Sequence, residues 1–200
     1  FAEYSQKYVN VANEKNISFS LHARYYISMS SVEETKRFNS INYILQSARA
    51  VNAMGGERII VHTGSCGKIS RQEALELALD TMKKSIEALD SEGLSNIRIC
   101  PETMGKVNQL GTLDEVLALC QLDERLIPCI DFGHLNARDR GILKSYEDFE
   151  EIFDKIENKL AELEKMDKRI HVYHKENGGP SIARDYAISK ASKDTKYLYF

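Results

Sequence analysis

The sequence predicts an α/β fold built on parallel strands. Short apolar runs alternate with longer segments of helical periodicity along the 200 residues, which is the pattern of repeated β-α-β units. The apolar runs are continuous, so we expect a sheet covered on both faces. No glycine-rich phosphate loop follows a run, which argues against a dinucleotide-binding sheet. An open sheet and a (β/α)8 barrel both fit this pattern.

Five strands and four helices account for most of the chain. Capping boxes are predicted at Ser31 with Glu34 and at Ser70 with Glu73, and Gly55 ends the first helix. A complete (β/α)8 barrel takes about 250 residues. We therefore expect one barrel domain over residues 1–200. Either this barrel is incomplete, or it has loops that the sequence does not include. The predicted strands are 16–22, 58–62, 96–102, 126–131 and 169–174, and the helices are 31–55, 70–93, 112–121 and 145–166.

Composition limits the class of protein. The net charge of −3 gives no general attraction to nucleic acid, so binding to a polyanion needs a basic patch or bound cations. The sequence contains no run of about eighteen apolar residues, so no membrane span is predicted. The cysteines form no CxxC pair, which favours reduced thiols in a cytoplasmic protein. We also expect the protein to be a monomer. They are Cys66, Cys100, Cys120 and Cys129.

Imidazole or carboxylate side chains lie at the C-terminal end of every predicted strand. All five histidines of the chain lie at such positions. In a parallel barrel the carboxyl ends of the strands converge on the face where active sites form. Histidines and carboxylates without thiolates are ligands for Zn, Mn or Fe. The residues at the strand ends are His22, His62, Glu102, Asp131 with His134, and His171 or His174.

A metal centre of this kind indicates hydrolysis or isomerisation. Two or three ions can orient a phosphodiester and generate hydroxide near neutral pH. A sugar isomerase needs one or two ions and a nearby base, for which Lys106 and Lys175 are candidates. The residues alone leave both reactions open.

Several motifs together resemble one known family. They are "SLHARYYISMSS", "RIIVHTGSCGKISRQEALELA", "ICPETMGKVNQLGTLDEVLALC", "LIPCIDFGHLNARDRG" and "RIHVY", and they span roughly residues 16 to 173. In order and spacing they resemble the endonuclease IV family (family 2 apurinic/apyrimidinic endonucleases) within the xylose-isomerase-like TIM barrels. The resemblance implies a (β/α)8 TIM barrel.

The resemblance also implies a metal-dependent phosphodiesterase that cleaves the DNA backbone 5′ to abasic sites. Up to three zinc ions are implied, with Mn or Fe as alternatives. Glu102 would bridge two ions and hold the attacking water or hydroxide, which makes it the implied catalytic residue. Tyr25 would lie on a DNA-facing loop. Arg138 and Arg140 are candidate phosphate contacts because they lie just past a predicted strand end. A sugar isomerase or epimerase and a non-catalytic metal-binding relative remain alternatives. The implied ligands are His22, His62, Glu102, Asp131, His134 and His171, with His174 standing for the histidine of a later pair.

Overall fold

A parallel sheet is the centre of the computed structural model, which describes residues 2–15 and 17–166. Its strands are β1 (Ser20–His22), β2 (Arg58–Val61) and β3 (Arg98–Pro101), in the order β1-β2-β3. Both pairings are parallel. This arrangement confirms the parallel α/β pattern and brings the carboxyl ends of the three strands to the same edge.

Six helices accompany the described strands. Helices α2 and α3 each connect one strand to the next, as β-α-β units require, whereas α1 and α5 are additional to the predicted elements. Within residues 2–15 and 17–166, no helix combines the length and apolarity needed to cross a bilayer. The helices are α1 (Ala2–Lys15), α2 (Glu34–Ala53), α3 (Arg71–Ser91), α4 (Leu113–Cys120), α5 (Phe132–Arg138) and α6 (Tyr146–Met166).

Packing divides the chain into two compact units, residues 1–149 and residues 150–200. The first unit contains the sheet and helices α1 to α5, and the described part of the second consists of the remainder of α6. The predicted strand 169–174 lies outside the described residues, as do His171, His174 and Lys175. The single domain over residues 1–200 stays a prediction.

The predicted fourth strand is wrong as a continuous strand. Its residues run parallel to β3 through two isolated bridges, Ile99 with Leu126 and Glu102 with Cys129. Pro101 lies between Ile99 and Glu102 and has no N–H to donate to the ladder. Its carbonyl still accepts from the N–H of Cys129 at 2.9 Å. The segment therefore follows the sheet edge without forming a full ladder.

The core lies between the sheet and helices α2 and α3. In β2 the buried residues alternate with partly exposed ones, as expected when one face of a strand packs on helices. Cys100 is buried, and this burial raises the pKa of its thiol to about 11. Core residues with almost no solvent exposure include Ile44, Ala48, Val51, Ile59, Val61, Ala78, Met82, Leu89 and Ile99.

One bond of the capping box predicted at Ser70 and Glu73 is confirmed. The hydroxyl of Ser70 accepts a hydrogen bond from the N–H of Glu73 at 3.1 Å, which begins α3 as predicted. The prediction at Ser31 is wrong, because α2 begins with Glu33 as its N-cap and has no side-chain cap. The Ser31 hydroxyl instead accepts from the N–H of Glu33, two residues along the chain. This local turn uses the hydroxyl before the helix starts.

Candidate metal centre

The first triad of the site forms where three adjacent strands end. His22 is the last residue of β1, His62 directly follows β2, and Glu102 directly follows β3. Glu102 Oε2 lies 3.0 Å from His62 Nε2 and 3.3 Å from His22 Nε2. Three side chains separated by tens of residues thus converge because parallel strands deliver their carboxyl ends to one edge. Their potential ligand atoms all lie within 4.8 Å of one another.

Burial controls the electrostatics of this triad. The Glu102 side chain is 9% exposed and that of His62 is 10% exposed. Burial lowers the pKa of His62, and the positive charges that His22 and His134 carry when protonated act in the same direction. The Glu102 carboxylate opposes this shift. A neutral imidazole beside a buried carboxylate is the protonation state that binds a metal.

The second triad depends on the turn that begins α5. Asp131 is the N-cap of this helix, and its Oδ1 accepts a hydrogen bond from the N–H of His134 at 2.8 Å. The three-residue spacing is therefore that of an N-cap and its partner in the first helical turn. His134 Nδ1 lies 3.5 Å from Asp131 Oδ2 and 3.6 Å from Glu102 Oε1. The three side chains form a second group whose ligand atoms lie within 4.8 Å of one another.

Glu102 belongs to both triads and offers a different oxygen to each. Oε2 faces His22 and His62, whereas Oε1 faces His134. All donors in the two triads are nitrogen or oxygen, a set that fits Zn, Mn or Fe. The residues therefore form a candidate centre for two divalent ions bridged by one carboxylate.

An exposed tyrosine borders the first triad. The Tyr25 ring stacks on the His22 ring with centroids 5.4 Å apart, and it meets His62 at 5.0 Å. Tyr25 is 78% exposed although it contacts two candidate ligands. The structure thus places this predicted substrate residue beside the candidate metal centre, with most of its side chain open to solvent.

The two predicted arginines lie in different environments. Arg138 is 9% exposed, and its guanidinium donates to the carbonyls of Met104, Lys106, Val107 and Gln109. It therefore holds a loop, and the predicted phosphate contact receives no support from this placement. Arg140 is exposed and has a φ of 59°, just beyond α5. Its predicted contact with substrate stays a prediction.

One residue of the site was not indicated by any sequence pattern. Thr103 follows Glu102 and is fully buried. Its hydroxyl accepts from the N–H of Asp131 at 2.8 Å, and its carbonyl oxygen lies 2.9 Å from His134 Nδ1. Both contacts involve a backbone group, which any residue type supplies, so no residue spacing in the sequence indicates them. The only feature of the sequence that could have indicated Thr103 is its position next to Glu102.

The parallel sheet, with imidazole and carboxylate side chains at its strand ends, defines an α/β protein with a candidate metal site. The profile of the xylose isomerase-like TIM barrel family matches residues 1–180. The chain belongs to this family, which confirms the predicted barrel and the resemblance at the level of the family.

Two curated proteins are similar to this chain in sequence. The chain is 35% identical over 178 residues to the uncharacterized protein MJ0133 of Methanocaldococcus jannaschii, covering 89% of this chain and 64% of the relative. It is 28% identical over 143 residues to the probable endonuclease 4 of Malacoplasma penetrans, covering 67% of this chain and 47% of the relative. The chain thus spans about half to two thirds of these relatives.

A D-psicose 3-epimerase structure from Clostridium cellulolyticum H10 shares the fold. The TM-score is 0.56 at 12% identity, and the match covers 71% of this chain and 52% of the epimerase. At this identity the similarity concerns the fold alone.

Proposed function

We propose that the protein is a metal-dependent phosphodiesterase of the endonuclease IV type, which hydrolyses the DNA backbone 5′ to abasic sites. The observation that carries the proposal is the shared carboxylate of Glu102. Its two oxygens face separate ligand groups, an arrangement suited to a pair of ions. Metal pairs of this kind stabilise both the attacking and the leaving oxygen of a phosphodiester.

Each triad would hold one ion, and zinc is the proposed metal. His22, His62 and Glu102 would bind the first ion, and Glu102, Asp131 and His134 the second. When bound, such ions supply a water activated near neutral pH and positive charge for the phosphate. Glu102 orients both groups because it is buried between them. His171 and His174 stay proposed metal ligands.

The substrate would approach over Tyr25. Its exposed ring lies against His22 and His62, so a sugar or base that packs on the ring is held beside the first triad. The exposed Arg140, beyond α5, is the proposed phosphate contact on the side of the second triad. The chain has a net charge of −3, and the bound cations would offset its repulsion of DNA.

Incision of a defined duplex tests this function. A duplex with one abasic site and an undamaged duplex of the same sequence are incubated with the zinc-loaded full chain. We expect incision only 5′ to the abasic site, leaving a 3′-hydroxyl, with loss of activity in chelator and recovery on adding zinc. Glu102→Gln should be inactive. Absence of incision at full metal loading contradicts the proposal, and interconversion of ketohexoses by the same preparation supports the epimerase alternative.

A further inference from the structure

We infer that Thr103 is a positioning residue that sets the geometry of the second triad (Glu102, Asp131, His134). This inference rests on the proposed metal centre. Thr103 is fully buried and lies next to Glu102 in sequence, so it has no path to the substrate. Its polar atoms are directed at the other two members of the triad.

The hydroxyl of Thr103 holds the backbone of Asp131 at two points. It accepts from the Asp131 N–H at 2.8 Å and donates to the Asp131 carbonyl at 3.3 Å. The N–H of Thr103 donates in turn to the Cys129 carbonyl at 3.0 Å. These bonds continue the pairing of β3 with the 126–129 segment past the point where Pro101 interrupts it. The start of α5 is thereby fixed relative to Glu102.

The carbonyl of Thr103 holds the ring of His134. It lies 2.9 Å from His134 Nδ1, the contact expected of an imidazole N–H donating to a backbone acceptor. The His134 side chain is 38% exposed, and this carbonyl is the shortest polar contact of its ring. One buried residue thus orients a carboxylate through its hydroxyl and an imidazole through its carbonyl.

Removal of the Thr103 hydroxyl tests its hydrogen bonds separately from the packing of its side chain. Thr103→Val keeps the shape of the side chain but leaves the Asp131 N–H without this acceptor. Asp131 then loses its fixed position while His22 and His62 keep theirs. Because groups that orient ligands typically change metal affinity 10- to 100-fold, we expect weaker binding of the second ion alone.

Metal binding to the full chain provides the test. Zinc per chain is measured by mass spectrometry, and Co²⁺ is titrated with its visible absorption spectrum as the readout. Thr103→Val and Thr103→Ala should bind one ion normally and the second about 10- to 100-fold more weakly, with altered Co²⁺ bands. Thr103→Ser, which keeps the hydroxyl, should restore both. Thr81→Val is the matched control, since the buried Thr81 hydroxyl lies within hydrogen-bond distance of the Met29 and Leu77 carbonyls, at 2.9 and 2.8 Å, away from the site.

The outcomes distinguish the inference from the function on which it rests. Wild-type affinity for both ions in Thr103→Val and Thr103→Ala overturns the inference alone. An equal loss of metal in Thr81→Val also overturns it, because a general loss of stability would then explain the effect. A wild-type chain that binds no divalent ion contradicts the metal centre, and the inference falls with it.

Discussion

Glu102 Oε2 lies 3.0 Å from His62 Nε2, and both side chains are almost completely buried. A buried carboxylate and imidazole in contact pay a large desolvation penalty unless a partner compensates for it. The second carboxylate oxygen faces a different imidazole, that of His134, at 3.6 Å. This relationship makes Glu102 the residue on which the whole candidate centre depends.

Substitution of Tyr25 should weaken substrate binding without loss of metal. Tyr25→Ala removes the ring that stacks on His22, and a stacked base or sugar of the proposed substrate would lose its platform. We expect affinity for an abasic duplex to fall about tenfold, or about 1.4 kcal/mol. Tyr25→Phe keeps the ring and should bind nearly as the wild type does. Equal binding by the alanine variant, measured by fluorescence anisotropy, would remove Tyr25 from the substrate site.

Substitution of Arg138 should lower the stability of the fold, whereas substitution of Arg140 should weaken DNA binding. Arg138→Met leaves several loop carbonyls without their donor, and we expect a loss of about 2 kcal/mol in the free energy of unfolding. Arg140→Ala, at an exposed position, should change stability by less than about 0.5 kcal/mol. The same Arg140 variant should bind DNA more weakly at low salt and with a smaller salt dependence. Urea denaturation and anisotropy together test the pair, and a stable Arg138→Met would contradict its structural role.

Alanine at Gly111 should destabilise the loop that follows Glu102. Gly111 has a φ of 134°, and an added Cβ would lie 2.7 Å from the backbone nitrogen of Met104. Strain and overlap together should lower the free energy of unfolding by about 3 kcal/mol. Gly67→Ala is the matched control, because Gly67 has a φ of 55° with no atom within 4 Å of an added Cβ. It should cost about 1 kcal/mol, and equal losses would show that the close contact with Met104 is unimportant.

Asp123 should make stability depend on acid pH. Its hydrogen bonds with Arg125 hold the pKa of the carboxyl below its ordinary value of 3.8. The folded state thus favours the carboxylate, and this stabilisation is complete above pH 3.8 and disappears as the pH falls through the folded-state pKa. Asp123→Asn should lower the free energy of unfolding by about 1 kcal/mol at pH 7 and by progressively less in stronger acid. A difference that stays constant between neutral and acid pH in urea titrations would contradict this role.

The sequence predicted the first triad because one rule governs it. Parallel strands deliver their carboxyl ends to one edge, so His22, His62 and Glu102 could be expected to meet before any coordinates were known. The Asp131 and His134 pair was predicted from its spacing, and the structure supplies the reason in the helix cap. These features depend on periodicity and local geometry, which a sequence displays.

Other features depend on contacts that no spacing reveals. The fourth strand is interrupted because Pro101 occupies a donor position, and that position is defined only by the register with its neighbour. Arg138 follows a strand end as a phosphate ligand would, yet its guanidinium is directed toward loop carbonyls. The Thr103 hydroxyl contacts the backbone of Asp131, 28 positions along the chain, and the Thr103 carbonyl contacts the ring of His134, 31 positions along the chain. Long-range partners of this kind require the folded chain.

The metal content of three variants tests the central claim most directly. Zinc per chain is measured for Glu102→Gln, His62→Ala and His134→Ala alongside the wild type. Because Glu102 serves both triads, its variant should lose both ions, whereas each histidine variant should lose the ion of its own triad. Retention of the wild-type zinc content by Glu102→Gln would contradict the shared carboxylate and, with it, the two-ion centre.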